Sequence, residues 1–252
     1  MAWDWQVFCK TTTDGTVMAS CLGKDGDITY LDWMFHAWGW TLSVAACAWV
    51  IAMLIGGLVG TLRTLPNSPW TVRLANAWVE LFRNIPILVQ LFLWYFVLPK
   101  AFPSMQAIPG FVLVVFALGF FTSARIAEQV RAGIQALSRG QRYAGMAVGF
   151  TTAQTYRYVL LPMAVRIILP PLTSESMNLL KNSSVAFAVS IAELTMFAMQ
   201  AQEETSRGIE VYLAVTALYA FSAFAVNRVF AFIEKRVRIP GFIVAGGTGA
   251  AH

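Results

Sequence analysis

Long apolar runs separated by short charged connections organise this chain. Between Asp32 and Arg63 lie thirty residues without an Asp, Glu, Lys or Arg, among them the run Trp40 to Leu62. About 20 consecutive apolar residues suffice to cross a bilayer as a helix, so this run predicts a first span. A second runs from about Leu74 to Leu98, carrying Glu80 and Arg83 in its first half and Pro86 where the helix must kink or restart. The uncharged stretch Ala101 to Ala124, entered through Pro103 and Pro109, predicts a third. From Ile167 to Gln202 the chain is mostly apolar but interrupted by Glu175, Lys181 and Glu193, which places a polar-striped fourth span near Ser174 to Met199. Val211 to Ile233 completes five. The pattern predicts an all-α polytopic membrane protein with five transmembrane helices.

Composition supports that reading. Of 252 residues, 58% are hydrophobic and 12% charged, with a mean hydropathy of +0.62, whereas roughly a quarter of residues are charged in a soluble domain. The net charge of +5 is spread between apolar stretches rather than gathered on one face, which argues against nucleic acid as a partner. Topology explains it better: the connections on one side of five spans hold four Lys and Arg, those on the other thirteen, and Lys181 sits inside a span. Basic connections stay in the cytoplasm. Residues 1–34 are therefore an external N-terminal segment, 35–235 the membrane domain and 236–252 a cytoplasmic tail. No cleaved signal is visible, and the first span must direct insertion. The tail's Gly246-Gly247-Thr248-Gly249 lacks a phosphate loop's Lys-Ser and preceding strand and reads as a frayed end. Cys9, Cys21 and Cys47 show no metal-ligand spacing, and no metal site is expected; Cys9 and Cys21 either pair in an oxidising compartment or remain reduced thiols.

Arg125 to Arg166 is the longest inside connection, and loops of about forty residues usually have structure and a task. Small residues at 144, 145, 147 and 149 make a helix surface that another protein can approach closely, with Gly149 suited to ending the helix and Pro162 to marking the turn into the fourth span. The pattern alone fits equally a surface helix anchored at the headgroups by six arginines.

The residues of this segment resemble the cytoplasmic loop of ABC-importer permeases, Gly-Gln-x-Glu-Ala-Ala followed by a spaced Gly, then Leu-Pro and Arg. Gly140, Gln141, Ala144, Gly149, Gln154, Leu161, Pro162, Ala164 and Arg166 match. Tyr143 stands in place of the motif's Glu, Gly145 of its second Ala and Met163 of a frequent Gln. The block Glu80-Leu81-Phe82-Arg83-Asn84-Ile85-Pro86-Ile87-Leu88-Val89-Gln90, and Asn178 to Ser184 with Glu193-Leu194, resemble the polar amino acid uptake permeases, nearest to those that import glutamate and aspartate. The resemblance covers about Trp38 to Gly241. It implies a type I ABC importer permease in a bacterial inner membrane. Gly140, Gln141, Tyr143, Ala144, Gly145, Gly149, Leu161 and Pro162, in a loop over about 139–166 with a cytoplasmic coupling helix, would meet the ATPase. It further implies two cytoplasmic ATPase chains that bind ATP and magnesium, a second permease subunit, identical or related, and a periplasmic amino-acid-binding protein. No cofactor is expected in this chain.

An ionisable side chain within a bilayer costs several kcal/mol unless paired or wet, which makes each a functional candidate. Ser174, Glu175, Asn178, Lys181 and Asn182 fall within about 120° of a helix wheel. Such a stripe, continued by Ser183, can line a cavity in which Lys181 attracts a carboxylate and Glu175 or Glu193 an ammonium. It can equally hold an interhelical ion pair between Lys181 and one of those acids, or face a partner subunit. Arg83 and Asn84 sit where Pro86 opens the backbone and frees amides for a carboxylate; an internal pair between Glu80 and Arg83 is favoured over that site. Glu128, three residues from both Arg125 and Arg131, reads as ordinary helix pairing. Gly56 and Gly60 form a small-xxx-small pair for helix packing. Trp33, Trp38, Trp40, Trp70 and Trp94 lie near span ends as interface anchors.

Two other classes compete. An ion-coupled carrier would use Lys181, Glu175 and Glu193 as its coupling site and need no ATPase. A membrane enzyme is disfavoured: there is no His-Glu-x-x-His or Gly-x-Ser-x-Gly, and the two histidines, His36 and His252, lie outside the second to fifth spans.

Overall fold

The computed structural model describes residues 3–24 and 26–237, so the glycine-rich end of the tail lies outside the described residues. Ten α-helices follow one another among these: α1 Tyr30–Leu62, α2 Pro69–Asn84, α3 Ile87–Phe92, α4 Leu98–Ala101, α5 Gly110–Gln135, α6 Arg139–Ala147, α7 Thr152–Thr155, α8 Leu161–Asn182, α9 Leu194–Thr205 and α10 Gly208–Val237. π turns at Leu93–Val97 and Tyr156–Leu160 carry α3 into α4 and α7 into α8. The only extended pairings among the described residues are two antiparallel bridges, Lys10 with Val17 and Thr11 with Thr29. Three helices, α1, α5 and α10, are long and apolar enough to cross a membrane, and five crossings result if each of two broken pairs counts as one.

The boundaries differ from the sequence expectation in four places. α1 begins at Tyr30, ten residues before the apolar run, because Asp32 accepts hydrogen bonds from Thr29 N and Oγ1 at 3.2 and 2.8 Å and so fixes the first turn. The third crossing starts at Gly110, not Ala101, since Pro103 and Pro109 keep the chain irregular until then, and it continues past Ala124 to Gln135. Arg125, expected in a loop, is a helix residue. The fourth crossing is not one helix over 174–199: α8 ends at Asn182, passes into a 3-10 stretch, Ser183–Val189, and breaks at left-handed Ser190 before α9. Pro162 does not turn the chain; it follows directly on the π turn Tyr156–Leu160 inside a helical run that begins at Thr152, so its missing N–H falls where the regular hydrogen-bond ladder is already interrupted.

Two compact units divide the chain. The first combines residues up to Ile51 with Ile85–Phe121 and Met177–Phe224. One of its cores buries Val7, Met34, Ala37, Phe197, Ala201 and Val211, so that the N-terminal segment packs on α1, α9 and α10; another buries Val44, Leu91, Val114, Leu118, Leu179 and Val189. A Cys9–Cys21 disulfide closes the N-terminal segment, which settles the open pairing, and Cys47 is a free, exposed thiol. Asp4 ties this segment to the α9–α10 turn, its amide donating to Glu210 Oε1 at 3.0 Å and its carboxylate meeting Arg207 at 3.4 Å.

The second unit holds, of the described residues, Ala52–Asn84, Thr122–Ser176 and 225–237. Here the small pair in α1 meets α5: a Cβ on Gly56 would stand 2.7 Å from Ser123 O, and one on Gly60 2.6 Å from Val130 Cβ. Only glycine permits that approach. Pro170 and Pro171 lie inside α8, where they remove the N–H donors that would reach Arg166 and Ile167 carbonyls. Ile126, Val130, Tyr156, Leu160, Ala164 and Ile168 pack between α5 and the segment leading into α8.

Candidate functional site

The loop over 139–166 is an ordered device rather than a tether. α6 follows Ser138 and ends where Gly149 adopts φ +83°, letting Phe150 N–H reach back to Gly145 O at 3.1 Å. A left-handed residue closes a helix in this way at least cost when it is glycine. The next turn begins at once: Thr151 caps α7, with Gln154 N donating to Thr151 Oγ1 at 3.3 Å and Thr151 N donating to Gln154 Oε1 at 2.8 Å. Gln154 thus earns its place in the motif as the second half of a capping box.

Gly145 is the one buried residue of α6, and a Cβ there would lie 2.9 Å from Thr155 Cγ2 and 3.1 Å from its Oγ1. Thr155 therefore occupies the space of the alanine methyl that Gly145 lacks. Tyr156 then donates its hydroxyl to Thr64 O at 2.6 Å, joining this loop to the end of α1. Gly140, Tyr143, Ala144, Gly149 and Pro162 are exposed, while Gln141 and Leu161 are half-buried. Tyr143 is 61% exposed, so the face of α6 away from Gly145 is open.

Behind the loop, Glu128 gathers three arginines: Arg63 at 3.0 Å, Arg83 at 3.4 Å and Arg131 at 3.4 Å. The carboxylate joins α5 to α2 and to the residue that follows α1. This overturns the expected Glu80–Arg83 pair, for Arg83 turns to Glu128 and Glu80 is exposed; Asn84 is exposed as well. It also divides the expected Arg125–Glu128–Arg131 triplet, since only Arg131 stays with Glu128.

Arg125 instead forms a two-pronged pair with Glu175, Nε donating to Oε2 at 2.6 Å and Nη2 to Oε1 at 3.1 Å. The predicted polar stripe on α8 is consequently split. Glu175 is buried and engaged by Arg125, not by Lys181; Ser174 is exposed. Within the first unit, Asn178 and Asn182 are half-buried, Ser183 is buried with its hydroxyl on Leu180 O at 2.7 Å, and Lys181 is exposed with no ion pair among the described residues. Of the stripe's charges, Lys181 alone is uncommitted.

Glu193 makes no bond to Lys181: it is fully buried at the start of α9, where Oε1 accepts from Met196 N at 3.0 Å and Oε2 from Thr195 N at 2.9 Å and from Tyr219 Oη–H at 2.9 Å. Its geometry is that of a helix cap bonded to α10. Among the described residues no cluster of His, Cys, Asp and Glu could hold a metal.

Residues absent from the sequence-based set are Arg125, Glu128, Thr155, Tyr156 and Tyr219. Arg125 follows directly on an uncharged run, which is a signal that it belongs to the helix, but nothing in spacing identifies Glu175 as its partner.

An all-helical membrane domain with an exposed small-residue helix between two long crossings has the architecture of the ABC importer permeases. The chain belongs to the family described as binding-protein-dependent transport system inner membrane component, whose model matches residues 52–239. It is 38% identical over 249 residues to the glutamate/aspartate import permease protein GltJ of Escherichia coli (strain K12), covering 95% of this chain and 96% of that one. It is 35% identical to the probable glutamine ABC transporter permease protein GlnM of Bacillus subtilis (strain 168), covering 82% of this chain and 93% of the relative. A structure described as an amino acid ABC transporter with histidines is 32% identical with a TM-score of 0.71, over 82% of this chain and 95% of that one.

Proposed function

We propose that this chain is the membrane-spanning subunit of an ATP-driven importer of acidic amino acids, glutamate and aspartate. The observation that carries the reading is near-full-length similarity to a permease named for those substrates. In this reading ATP and magnesium are bound by a separate cytoplasmic ATPase dimer, and the chain has no ATPase site of its own. A second permease subunit, identical or related, and a periplasmic amino-acid-binding protein complete the assembly in the bacterial inner membrane, with the N-terminus outside and the C-terminus inside.

Closure of the ATPase dimer displaces α6, with Gly140, Gln141, Ala144 and Gly149 in its contact surface. The capping box and the Tyr156–Thr64 bond make the loop stiff enough to pass that displacement to α8 and α1. Two global arrangements, open outward or inward, are then favoured in turn by differential binding of ATP and its products. Arg83, Asn84, Asn178, Lys181, Asn182 and Ser183 remain candidates along the substrate route; Lys181 carries the charge an anionic substrate seeks.

Reconstitution with the co-purifying ATPase and binding protein in liposomes tests the reading. ATP inside the vesicles is expected to drive uptake of labelled glutamate, competed by aspartate more strongly than by glutamine. Gly149→Arg is expected to abolish uptake while hydrolysis persists, because arginine strains the φ +83° position and adds bulk to the coupling surface. Uptake by the chain alone, driven by an ion gradient without ATP, would sink the proposal.

A further inference from the structure

Arg125 places a charge deep in an apolar helix. It is the sixteenth of the 26 residues of α5, ten residues and so about 15 Å from the end at Gln135. α5 is one of the three helices long and apolar enough to cross a membrane. A charged group at such depth is strongly disfavoured among acyl chains, and an arginine ordinarily escapes by extending its stem toward the headgroups. Arg125 is held from doing so: Nε and Nη2 are bonded at 2.6 and 3.1 Å to Glu175, whose side chain is 8% exposed. The arginine side chain is nevertheless 40% exposed, and what meets that exposed part is water or a polar surface rather than lipid. A guanidinium carries five N–H groups, placed so that a carboxylate can bridge either Nε and Nη2 or Nη1 and Nη2. Glu175 fills the first fork. The second has no acceptor among the described residues, and Nη1 is not one of the buried atoms left without a partner, so the free fork lies on the accessible side.

We infer that this free fork of Arg125 receives the side-chain carboxylate of the transported amino acid, and that Glu175 is the positioning residue that holds the guanidinium for it. The inference rests on the importer reading given above and names the group that tells an acidic substrate from its amide. A carboxylate accepts from both N–H groups of a fork at once. A glutamine side chain offers one acceptor and sets its own N–H groups against the other donor, which is left unpaired. Glu175 pre-organises the site, because its two bonds fix the plane of the guanidinium and little ordering remains when substrate arrives. Its anion also balances the arginine while the route is empty, so the pair carries no net charge between transport cycles. Both residues lie in the second unit, Arg125 on α5 and Glu175 on α8.

The test uses the permease with its co-purifying ATPase in lipid nanodiscs, without binding protein, and follows labelled glutamate by equilibrium dialysis. The wild type is expected to bind saturably, with aspartate a better competitor than glutamine by about tenfold, the difference between a paired and an unpaired donor. Arg125→Gln is expected to weaken glutamate binding by about tenfold or more and to bring aspartate and glutamine level as competitors. Arg125→Lys keeps the cation but not the fork, and is expected to lose about threefold and to narrow the discrimination. Glu175→Gln acts through Arg125, so it is expected to weaken binding about threefold by itself and to add nothing to Arg125→Gln. Helical circular dichroism and elution volume establish that each variant is folded; should Arg125→Gln fail to fold, Arg125→Lys carries the same comparison of competitors. Glutamate binding that survives Arg125→Gln, or discrimination that survives Arg125→Lys unchanged, overturns the inference. So does an Arg125 variant that binds glutamate normally but loses the second permease subunit on elution, which gives the fork to that interface. A wild-type complex that binds no glutamate overturns it as well, while ATP-driven glutamate uptake by the same complex with its binding protein leaves the importer reading intact; the absence of both overturns both.

Discussion

Arg125 and Glu175 clasp one another through two hydrogen bonds of 2.6 and 3.1 Å, one residue from α5 and the other from α8, fifty positions apart. The carboxylate is buried while the guanidinium side chain is 40% exposed, so the pair is wet on one side. Removing one partner strands the other. Arg125→Ala is expected to lower stability by about 2 kcal/mol, below the 3–5 kcal/mol of a fully buried pair because water reaches the arginine. Arg125→Ala/Glu175→Ala should lose less than the two single changes added together. Thermal unfolding in detergent, run as a double-mutant cycle, measures the coupling; strict additivity would show that the two groups do not depend on one another.

Glu193 permits a sharper separation of roles. Its carboxylate caps α9 through Thr195 and Met196 amides and receives the Tyr219 hydroxyl, so both of its oxygens are engaged inside the protein. Glu193→Ala should cost about 1–2 kcal/mol for the cap plus the loss of the Tyr219 hydrogen bond. Tyr219→Phe removes the hydroxyl that donates to Glu193 at 2.9 Å and meets Thr195 Oγ1 at 3.4 Å, and should cost about 1 kcal/mol. Both effects belong in the melting temperature with the substrate KM unchanged. A glutamine variant that melts normally but shifts KM would return Glu193 to the substrate route.

Gly145 and Thr155 form a matched pair whose behaviour runs against helix propensity. Alanine normally gains about 1 kcal/mol over glycine inside a helix, yet a methyl at 145 meets Thr155 Cγ2 at 2.9 Å. Gly145→Ala is therefore expected to give no gain and to reduce transport coupling. Thr155→Ala removes both obstructing atoms, and among the described residues Thr155 Oγ1 has no hydrogen-bond partner whose loss would be felt. The double variant should recover coupling and exceed the wild type in loop stability. Hydrogen exchange across 139–156 and the ratio of uptake to hydrolysis provide the measurements; a single Gly145→Ala variant with normal coupling would dismiss the pairing.

The parts legible in the sequence were those set by local rules. Uninterrupted apolar length located α1 and α10, glycine chemistry located the end of α6 at Gly149, and Pro86 located the break before α3. Motif spacing led to the family to which the chain belongs. What spacing does not contain is the choice among partners equally near in sequence. Glu128 has arginines three residues to either side, yet tertiary packing delivers Arg63 and Arg83 to it and sends Arg125 to Glu175. The fourth crossing failed as a single helix for a related reason: apolar length cannot reveal that Glu193 will satisfy the free amides of a restarted helix and so make a break tolerable.

The N-terminal segment offers a test in which two restraints can be removed separately. Its disulfide joins Cys9 to Cys21 across a separation of 12, a loop for which closure contributes about 3 kcal/mol to the folded form. Inside that loop Asp14 is bonded to Thr11 Oγ1, Thr16 N and Thr16 Oγ1. Those bonds, the Thr11 hydroxyl foremost, hold its carboxyl below the ordinary value of 3.8. Because the folded form binds its proton less readily than the unfolded form, the contribution is present above pH 3.8 and is lost as pH falls through the lower folded value. Cys9→Ser/Cys21→Ser should speed proteolysis within 10–24 at every pH, whereas Asp14→Asn should reduce the rise of cleavage on acidification without abolishing it, because Asp32, held below its ordinary value first by the Gly23 amide and then by Thr29, keeps its own acid-dependent share. The disulfide also gives an independent reading of topology, since it persists only in an oxidising compartment. Blocking free thiols in intact cells before lysis should find Cys9 and Cys21 protected and Cys47 modified in detergent; two free thiols at 9 and 21 would place this segment on the reducing side and reverse the assigned orientation.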